Sequence, residues 1–302
     1  MICDAHFTPQ CFRWDGLMDD LQLQLLAEGY CIIPSVLSSN FVDRLREATD
    51  IAIDAMAHDH RQAQQSTGSM VPIYKCETCG ELVGHCDMRK ALEGLGFSDW
   101  RYTSGYIISK PPDSPPLFWH YDWGGWSHPF SYERMPTQVF VMAYLVDTNP
   151  GNGCLRVIPR SHIQDHPLHE MMRDAHTEEL LLASDLSAVE FQKHSDDVDV
   201  AVQAGDLVVG DARLIHGAHA NNSDRRRTVV TMWFFPNYGA LPEPIQGYVA
   251  RRFQDEPDDV ATWDPRIRKR LYDLRPFYHG NRDPVPFSRE RLSRKAFFAK
   301  RM

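Results

Sequence analysis

Short runs of β-branched and aromatic residues, separated by turn residues, fill the chain from about residue 101 to residue 236. Examples are RYTSGYIIS, LFWHYDW, TQVFVMAYLV, CLRVIP, VDVAVQ, DLVVGD and TVVTMWFF. Strands of this length with Pro, Gly and Asn between them are typical of antiparallel sandwiches and barrels, not of alternating strand and helix units. The sequence therefore predicts a mainly β fold with a jelly-roll core.

Helical patterns surround this β region. We predict helices in 19–30 and 40–57 with a cap at Ser38 to Asn40, a mostly helical insertion at 163–195, and helix and loop in 240–302. The strand-like run CIIPSVL separates the first two helices, and residues 58–100 read as polar and irregular. No repeat or low-complexity linker marks a boundary. We expect one domain over residues 1–302.

The overall composition excludes several classes of partner. The 302 residues are 43% hydrophobic and carry a formal net charge of −9, which argues against a nucleic-acid surface and against a polyanionic CoA thioester as substrate. No stretch approaches ~20 consecutive apolar residues. The first ten residues lack the order of a signal peptide. We expect a cytoplasmic protein that acts on a small molecule and has no membrane partner.

The stretch FWHYDWGGW at 118–126 places His120 and Asp122 two positions apart. In a strand, such residues point to the same face and could hold one metal ion. The same spacing occurs at His85 and Asp87 and at His194 and Asp196, so spacing alone does not identify a site. Only His120 lies in a strand-like run, directly after PPDSPP, whose prolines exclude a helix. The alternative is that His120 is a hydrogen-bonded core residue.

A non-haem Fe(II) site uses two histidines and one carboxylate, so a second histidine is expected downstream as the third ligand. In AGDLVVGDARLIHGAHANNSDRRRTVV, His216 follows an apolar run and His219 competes with it. Arg227 favours His216, since it opens the next strand eleven residues later, where a hairpin would bring it alongside. A guanidinium is suited to holding the far carboxylate of a dicarboxylate co-substrate.

Two further arginine patterns do not indicate a binding site. Arg225 and Arg226 read as a solvated turn. The histidine-to-arginine spacing also occurs at His162 and Arg173, but Arg173 falls in the helix-like insertion.

The ordered motifs resemble the phytanoyl-CoA dioxygenase family of Fe(II)- and 2-oxoglutarate-dependent oxygenases, which includes ectoine hydroxylase. They are the His-x-Asp pair, NGCLRVIPRSH at 152–162 and AGDLVVGDARLIHGAHANNSDRRR at 204–227, preceded by LLAEGYCIIPSVLSSNFVDRLR at 25–46 and ISKPP at 108–112. The resemblance covers most of residues 20–236. It implies a double-stranded β-helix of the jelly-roll type, which agrees with the strand pattern.

The same resemblance implies specific roles. His120, Asp122 and His216 would be the iron ligands, Arg227 would bind the distal carboxylate of 2-oxoglutarate, and Lys110 would lie near this co-substrate. Trp126 resembles an active-site tryptophan of the ectoine hydroxylases, with core packing as its alternative. Two departures are Ala218, where a serine is frequent, and Arg160, where a glycine is usual.

These observations favour an iron enzyme that uses O₂ and 2-oxoglutarate to hydroxylate an aliphatic C–H bond, with release of succinate and CO₂. A carboxylate at position 122 favours oxygenation over halogenation, since related halogenases replace it with a small residue. Desaturation, cyclisation and demethylation use the same kind of site and stay open. The insertion and the C-terminal extension are candidate lids.

Two alternatives belong to other classes. The first is a metal-binding or ligand-binding jelly roll without oxygenase activity, against which Arg227 argues. The second is an interaction protein stabilised by zinc at KCETCGELVGHC, where Cys76, Cys79, His85 and Cys86 could supply four ligands. Against it, the seven cysteines of a chain without a secretory signal are expected to be reduced thiols.

Overall fold

The computed structural model describes residues 16–253, 258–291 and 293–299. Its ten strands are β1 (Tyr30–Ile33), β2 (Ser69–Pro72), β3 (Arg101–Lys110), β4 (Leu117–His120), β5 (Val139–Tyr144), β6 (Leu155–Val157), β7 (Val198–Val200), β8 (Leu207–Asp211), β9 (His216–Ala218) and β10 (Arg227–Phe235). Every strand run predicted from the sequence overlaps one of these strands. The described ranges also contain β9, which lies in none of these runs, and β2, within a segment expected to be irregular.

Ten α-helices lie within the described ranges. They are α1 (Leu17–Glu28), α2 (Ser39–Asp54), α3 (His58–Gln62), α4 (Glu77–Val83), α5 (Cys86–Gly94), α6 (Leu168–Met171), α7 (Glu178–Leu181), α8 (Glu243–Arg252), α9 (Pro265–Asp273) and α10 (Arg294–Ala299). The predicted cap of α2 is present, because the Ser38 side chain accepts a hydrogen bond from the backbone N–H of Phe41 at 3.3 Å. None of the helices in these ranges is long and apolar enough to span a bilayer.

The strands form two sheets, in which all pairs of neighbouring strands are antiparallel. The larger sheet has the order β1-β8-β5-β10-β3-β2, and the smaller one has the order β4-β9-β6-β7. Alternate side chains of β5 show how the two sheets and the helices pack together. Phe140 and Met142 join a core shared with Leu155 and Val157 of the smaller sheet, whereas Val141 faces a second core against the helices. The mainly β jelly-roll expectation is confirmed.

Residues 58–100 are more ordered than the sequence predicts. Helices α4 and α5 bury apolar side chains at intervals of three and four residues: Cys79, Leu82 and Val83 in α4, and Met88, Ala91 and Leu92 in α5. All six are fully buried in the core that α1 and α2 share with the larger sheet. The expectation of an irregular segment is wrong here, because helices of seven and nine residues carry too few apolar positions for a clear pattern.

The insertion at 163–195 is less helical than expected. It contains only the four-residue helices α6 and α7 and one 3₁₀ turn, Val189–Phe191. His176 (φ 65°) and Ala183 (φ 49°) have left-handed backbone conformations, which a continuous helix does not allow. Its apolar side chains instead pack against the smaller sheet, where Leu180 and Phe191 share a buried cluster with Phe118.

The C-terminal extension packs along the barrel, as helix and irregular chain. Ile245 and Val249 of α8 are buried in a cluster with Trp123 and Phe235 of the β region. Beyond α9, residues 276–291 have no regular secondary structure. The single-domain interpretation of the whole chain stays a prediction.

Candidate metal centre and adjoining cavity

Strand pairing brings His120 and His216 together. They are register partners on β4 and β9 of the smaller sheet, and their ring centroids lie 4.2 Å apart. Asp122 follows β4, with Oδ1 at 3.6 Å from Nε2 of His120 and Oδ2 at 3.8 Å from Nε2 of His216. The possible ligand atoms of these three residues lie within 4.8 Å of one another. Two imidazoles and one carboxylate therefore converge as a facial iron site requires.

Backbone carbonyls orient both imidazoles. Nδ1 of His120 lies 3.0 Å from the carbonyl of Phe118, and Nδ1 of His216 lies 3.0 Å from the carbonyl of Leu214. A carbonyl accepts a hydrogen bond but cannot donate one, so Nδ1 carries the hydrogen and Nε2 keeps its lone pair toward Asp122. Burial, followed by the neighbouring His216, lowers the pKa of His120 well below its usual value. A neutral imidazole is the form that binds a metal.

Hydrogen bonds hold the carboxylate ligand, Asp122, from two sides. The indole Nε1 of Trp233 donates to Oδ2 of Asp122 at 2.8 Å, and the backbone N–H of Asp122 donates to the carbonyl of Ala212 at 2.9 Å. Such contacts fix the orientation of a ligating carboxylate and influence metal affinity. Sequence analysis did not identify Trp233. Trp233 and Arg227 are separated by an even number of residues on β10, so both lie on one face of the strand. This spacing was the sequence signal that could have identified Trp233 as a site residue.

A buried ion pair stabilises the 211–213 corner, the turn after β8 in which the carbonyl of Ala212 accepts this hydrogen bond. Arg213 and Asp211 flank Ala212, their side chains are each 1% exposed, and Nη2 of Arg213 lies 2.5 Å from Oδ2 of Asp211. Arg213 also donates to the carbonyls of Ser131 at 2.8 Å and Glu133 at 2.6 Å. The guanidinium thus ties the chain before His216 to the loop before β5.

Arg227 and Lys110 form a buried cationic pair. They are register partners on β10 and β3, and they are 5% and 0% exposed. Nζ of Lys110 donates to the carbonyls of Ser66 at 2.6 Å and Pro115 at 2.5 Å. Nε of Arg227 has no hydrogen-bond partner, and neither cation has a carboxylate partner, within the described ranges. Burial and the charge of Arg227 lower the pKa of Lys110.

A glycine borders this pair. Gly153 (φ 88°) lies beside both cations, and an added Cβ there would be 3.5 Å from Cδ of Lys110 and 3.6 Å from Nε of Arg227. Val229, on the same face of β10 as Arg227, packs in the core between the sheets. A buried guanidinium without an acidic partner fits an anionic co-substrate, since an uncompensated buried charge is costly. The residues present therefore suit both iron and a dicarboxylate.

The expected hairpin between His216 and Arg227 is not present. β9 belongs to the smaller sheet and β10 to the larger one, so the turn between them crosses from one sheet to the other. Strand periodicity shows where strands lie but not which sheet each one joins. Arg226 also differs from the expected solvated turn, because it pairs with Asp50 at 3.2 Å and Asp54 at 2.9 Å on α2.

The competing histidines lie elsewhere. His219 is outside the central cluster, and its Nε2 lies 2.5 Å from Oδ1 of Asp199, near Cys154. His85 groups with Cys86 and Asp87 at a partly exposed position, and His194 joins no such group within the described residues. Of the two histidines considered for the third ligand, only His216 reaches the site.

The four residues considered for zinc do not form one group. His85 caps α5 and stacks on Phe41 with ring centroids 4.4 Å apart, and Cys86 beside it is exposed. Cys76 and Cys79 are buried with α4 and join no metal-binding cluster in the described part of the chain. A structural zinc site needs four converging ligands, so this arrangement favours reduced thiols.

A cavity of about 650 Å³ adjoins the metal centre. Asp122 and Trp233 line it from the β core, His176 and Leu181 from the insertion, and Arg289 from the C-terminal extension. The two segments expected to cover the barrel mouth therefore both contribute to its wall. His176 was not identified from the sequence, which carries no signal for its position in an irregular segment. Its ring centroid lies 5.8 Å from that of His120.

Trp126 does not line this cavity. It is 2% exposed and packs with Tyr121, Tyr132 and His169, and the guanidinium of Arg291 lies 5.0 Å from its ring centroid. This position favours the packing alternative over contact with a substrate. A substrate-binding role for Trp126 stays a prediction, and the residues that line the cavity do not support it.

The two departures from the family pattern have local consequences. Ala218 is buried on β9 opposite Leu117 and Leu155 and has no hydroxyl to offer a co-substrate. Arg160 has φ 69°, in the left-handed region that favours glycine, and its side chain lies 3.2 Å from Glu28. The backbone therefore explains why a glycine suits position 160.

The comparisons with known proteins are consistent with this geometry. The sequence profile of the family described as phytanoyl-CoA dioxygenase matches residues 26–229. No curated protein sequence matches the chain. Several solved structures share the fold at low sequence identity.

The α-ketoglutarate-dependent carbocyclase SnoK is 22% identical, with a TM-score of 0.56 over 73% of this chain and 84% of its own. The epimerase SnoN, in complex with Fe³⁺, α-ketoglutarate and nogalamycin RO, is 19% identical, with a TM-score of 0.56 over 91% and 98%. HygX from Streptomyces hygroscopicus, with nickel, 2-oxoglutarate and hygromycin B bound, is 17% identical, with a TM-score of 0.53 over 72% and 86%.

Proposed function

The chain belongs to the phytanoyl-CoA dioxygenase family, and from this premise we propose that it hydroxylates an aliphatic C–H bond of a small-molecule metabolite with release of succinate and CO₂. The expected cofactors are those of this family: Fe(II), 2-oxoglutarate and O₂. One observation carries the proposal, the convergence of His120, Asp122 and His216 beside a cavity of substrate size.

In this proposal the three side chains hold iron. Nε2 of each histidine and the carboxylate of Asp122 are the ligand atoms, and the Trp233 indole keeps the carboxylate in place. With iron, 2-oxoglutarate and O₂ bound, the cofactors supply the oxidising chemistry, and the protein supplies binding, orientation and exclusion of water.

Arg227 holds the distal carboxylate of 2-oxoglutarate, and Lys110 adds positive potential beside it. Arg227 retains donor capacity, because its Nε has no partner in the described part of the chain. Lys110 is already anchored by the carbonyls of Ser66 and Pro115, so we assign it an electrostatic role rather than a direct contact. In this interior, a dicarboxylate compensates the charge of Arg227, which has no acidic partner among the described residues.

Hydroxylation is the simplest outcome of such a site. Desaturation, cyclisation and demethylation are alternatives on the same iron, and the related structures include enzymes described as a carbocyclase and an epimerase. The presence of Asp122 favours these oxidations over halogenation. The alternative from another class is a metal- or ligand-binding jelly roll without catalysis. It does not explain why Arg227 is buried with no acidic partner in the part of the chain that the structure describes.

Equilibrium dialysis of labelled 2-oxoglutarate, carried out without oxygen, tests this function. The full chain should retain one equivalent when Fe(II) is present and much less without it. His216→Ala should lose the metal-dependent part, whereas His219→Ala should keep it. The proposed function would be rejected if retention of 2-oxoglutarate did not depend on Fe(II), or if no 2-oxoglutarate were retained when Fe(II) is present.

A further inference from the structure

The charges of the cavity wall differ from those of the whole chain. The sequence carries a net charge of −9, yet the only carboxylate that lines the cavity in the described residues is the metal-site Asp122. Two arginines, Arg252 and Arg289, line the same cavity. Neither forms an ion pair within the described part of the chain, so both guanidinium groups are available to a ligand. An acidic protein thus carries a locally basic pocket.

The positive charge acts close to the metal centre. His176 and Arg289 both line the cavity that Asp122 lines. His176 itself lies beside His120. The Arg289 guanidinium is therefore within electrostatic range of the place where a substrate would meet the iron ligands.

Aromatic side chains form much of the remaining wall. They are Tyr106, Trp233 and Phe235 from the sheet, and Tyr248, Phe253 and Phe287 from the C-terminal extension. Flat rings favour stacking and edge-to-face contacts with another aromatic ring. The cavity volume of about 650 Å³ lies within the range for a compact organic molecule.

The cationic part of the wall lies outside the region that matches the family. Arg252 ends α8 and Arg289 follows in the irregular segment, whereas the family match ends at residue 229. These groups therefore lie in the C-terminal extension and not in the segment that the family profile matches. Specificity for a substrate is expected from such segments, since they differ most between members of one fold.

We propose that the substrate is a compact aromatic organic acid, whose carboxylate is bound by Arg252 and Arg289 while its ring packs on the aromatic wall. This assignment deepens the proposed function and rests on it for the reaction. A guanidinium matches a carboxylate through two parallel hydrogen bonds and stays charged at all physiological pH values. The positive potential at the cavity also attracts an anion, although the net negative charge of the whole chain repels anions from the rest of the surface.

Calorimetric titration with a matched pair of probes tests the assignment. The probes are 2-naphthoate and its neutral isostere 2-naphthamide, added without oxygen to the full chain saturated with Fe(II) and 2-oxoglutarate, so that Arg227 is already occupied. The acid should bind about tenfold or more tightly than the amide. Cyclohexanecarboxylate should bind roughly three- to tenfold more weakly than 2-naphthoate.

The variants Arg252→Gln and Arg289→Gln should each reduce the preference for the acid, and the double variant should abolish it. Arg251→Gln is the matched control, since Arg251 is the neighbouring exposed residue on α8 and does not line this cavity. Equal binding of acid and amide, a preference that survives in the double variant, or tighter binding of free coenzyme A would overturn the substrate class. The metal-dependent retention of 2-oxoglutarate is measured separately, so failure of the iron function is distinguishable from failure of this assignment.

Discussion

The indole Nε1 of Trp233 donates a 2.8 Å hydrogen bond to Oδ2 of Asp122, which links the larger sheet to the metal centre. Trp233→Phe removes the donor and keeps an aromatic ring. We expect metal affinity to fall by about 10–100-fold, because partners of a ligating carboxylate tune the site. Titration with Fe(II) or Mn(II) measures this.

Trp123→Phe is the matched control for this prediction. Its Nε1 donates to Oγ of Ser131 at 2.9 Å, away from the three ligands. This variant should lose about 1 kcal/mol of stability and keep its metal affinity. An equal loss of affinity in both variants would show that the Trp233 bond has no specific role.

Arg227→Gln should remove most of the affinity for 2-oxoglutarate while metal binding persists. Truncating one partner of a buried charged contact costs about 2–5 kcal/mol, which corresponds to a loss of roughly 30-fold or more. Dialysis with labelled 2-oxoglutarate measures the loss, and Arg225→Gln, at an exposed position two residues earlier, is the control. Unchanged co-substrate affinity in Arg227→Gln would remove Arg227 from the site.

Arg213→Ala should destabilise the whole fold rather than the metal site alone. It leaves the fully buried Asp211 without its partner, and breaking a buried pair in this way costs about 3–5 kcal/mol. Urea unfolding measures the change. Arg89→Ala breaks the exposed Arg89–Glu93 pair on α5 and should cost less than ~1 kcal/mol. Comparable losses in both variants would contradict this account of the 211–213 corner.

The variants Cys86→Ala and His120→Ala distinguish a zinc site at the cysteines from the metal centre at His120. The Cys86→Ala variant should keep the metal content and stability of the wild type, because Cys86 is exposed and does not converge with Cys76 and Cys79. His120→Ala should lose metal. Elemental analysis of the purified variants decides between the two sites. Zinc that is lost with Cys86→Ala and kept with His120→Ala would support the interaction-protein reading instead.

Stability should fall in mild acid, in part through His169. Burial, with the nearby charge of Arg291, lowers its pKa to about 3. The unfolded chain takes up this proton near pH ~6.5, so below that pH the unfolded state binds more protons and stability decreases down to about pH 3. In His169→Gln, the slope of unfolding free energy against pH should be smaller by up to about 1.4 kcal/mol per pH unit. Urea unfolding at several pH values measures it. An unchanged slope would show that His169 is not buried neutral.

The central ligands could be predicted from the sequence because strand geometry is local. Alternation places His120 and Asp122 on one side of the chain, and the prolines before them exclude a helix. Arg227 was found by its place at the start of a strand. Its pairing with Lys110 across β10 and β3 depends on sheet register, which the sequence pattern does not contain.

Other parts of the site depend on contacts between distant segments. Periodicity puts Trp233 and Arg227 on one face of β10, but only the packing of two sheets shows that this face meets Asp122. His176 reaches the cavity from a left-handed turn, and Arg289 reaches it from a segment without regular structure. Irregular backbone has no periodic signal, so these positions could not be inferred from residue spacing.

The most direct test of the central claim is an anaerobic spectroscopic titration of the full chain with Fe(II) and 2-oxoglutarate. We predict a visible absorption band that saturates at one equivalent of each, is absent in Asp122→Ala and is strongly reduced in Arg227→Gln. The His219→Ala variant should give the wild-type band. No band with the wild-type protein, or the same band in Asp122→Ala, would contradict the assignment of His120, Asp122 and His216 as an iron site for a 2-oxoglutarate-dependent oxygenase.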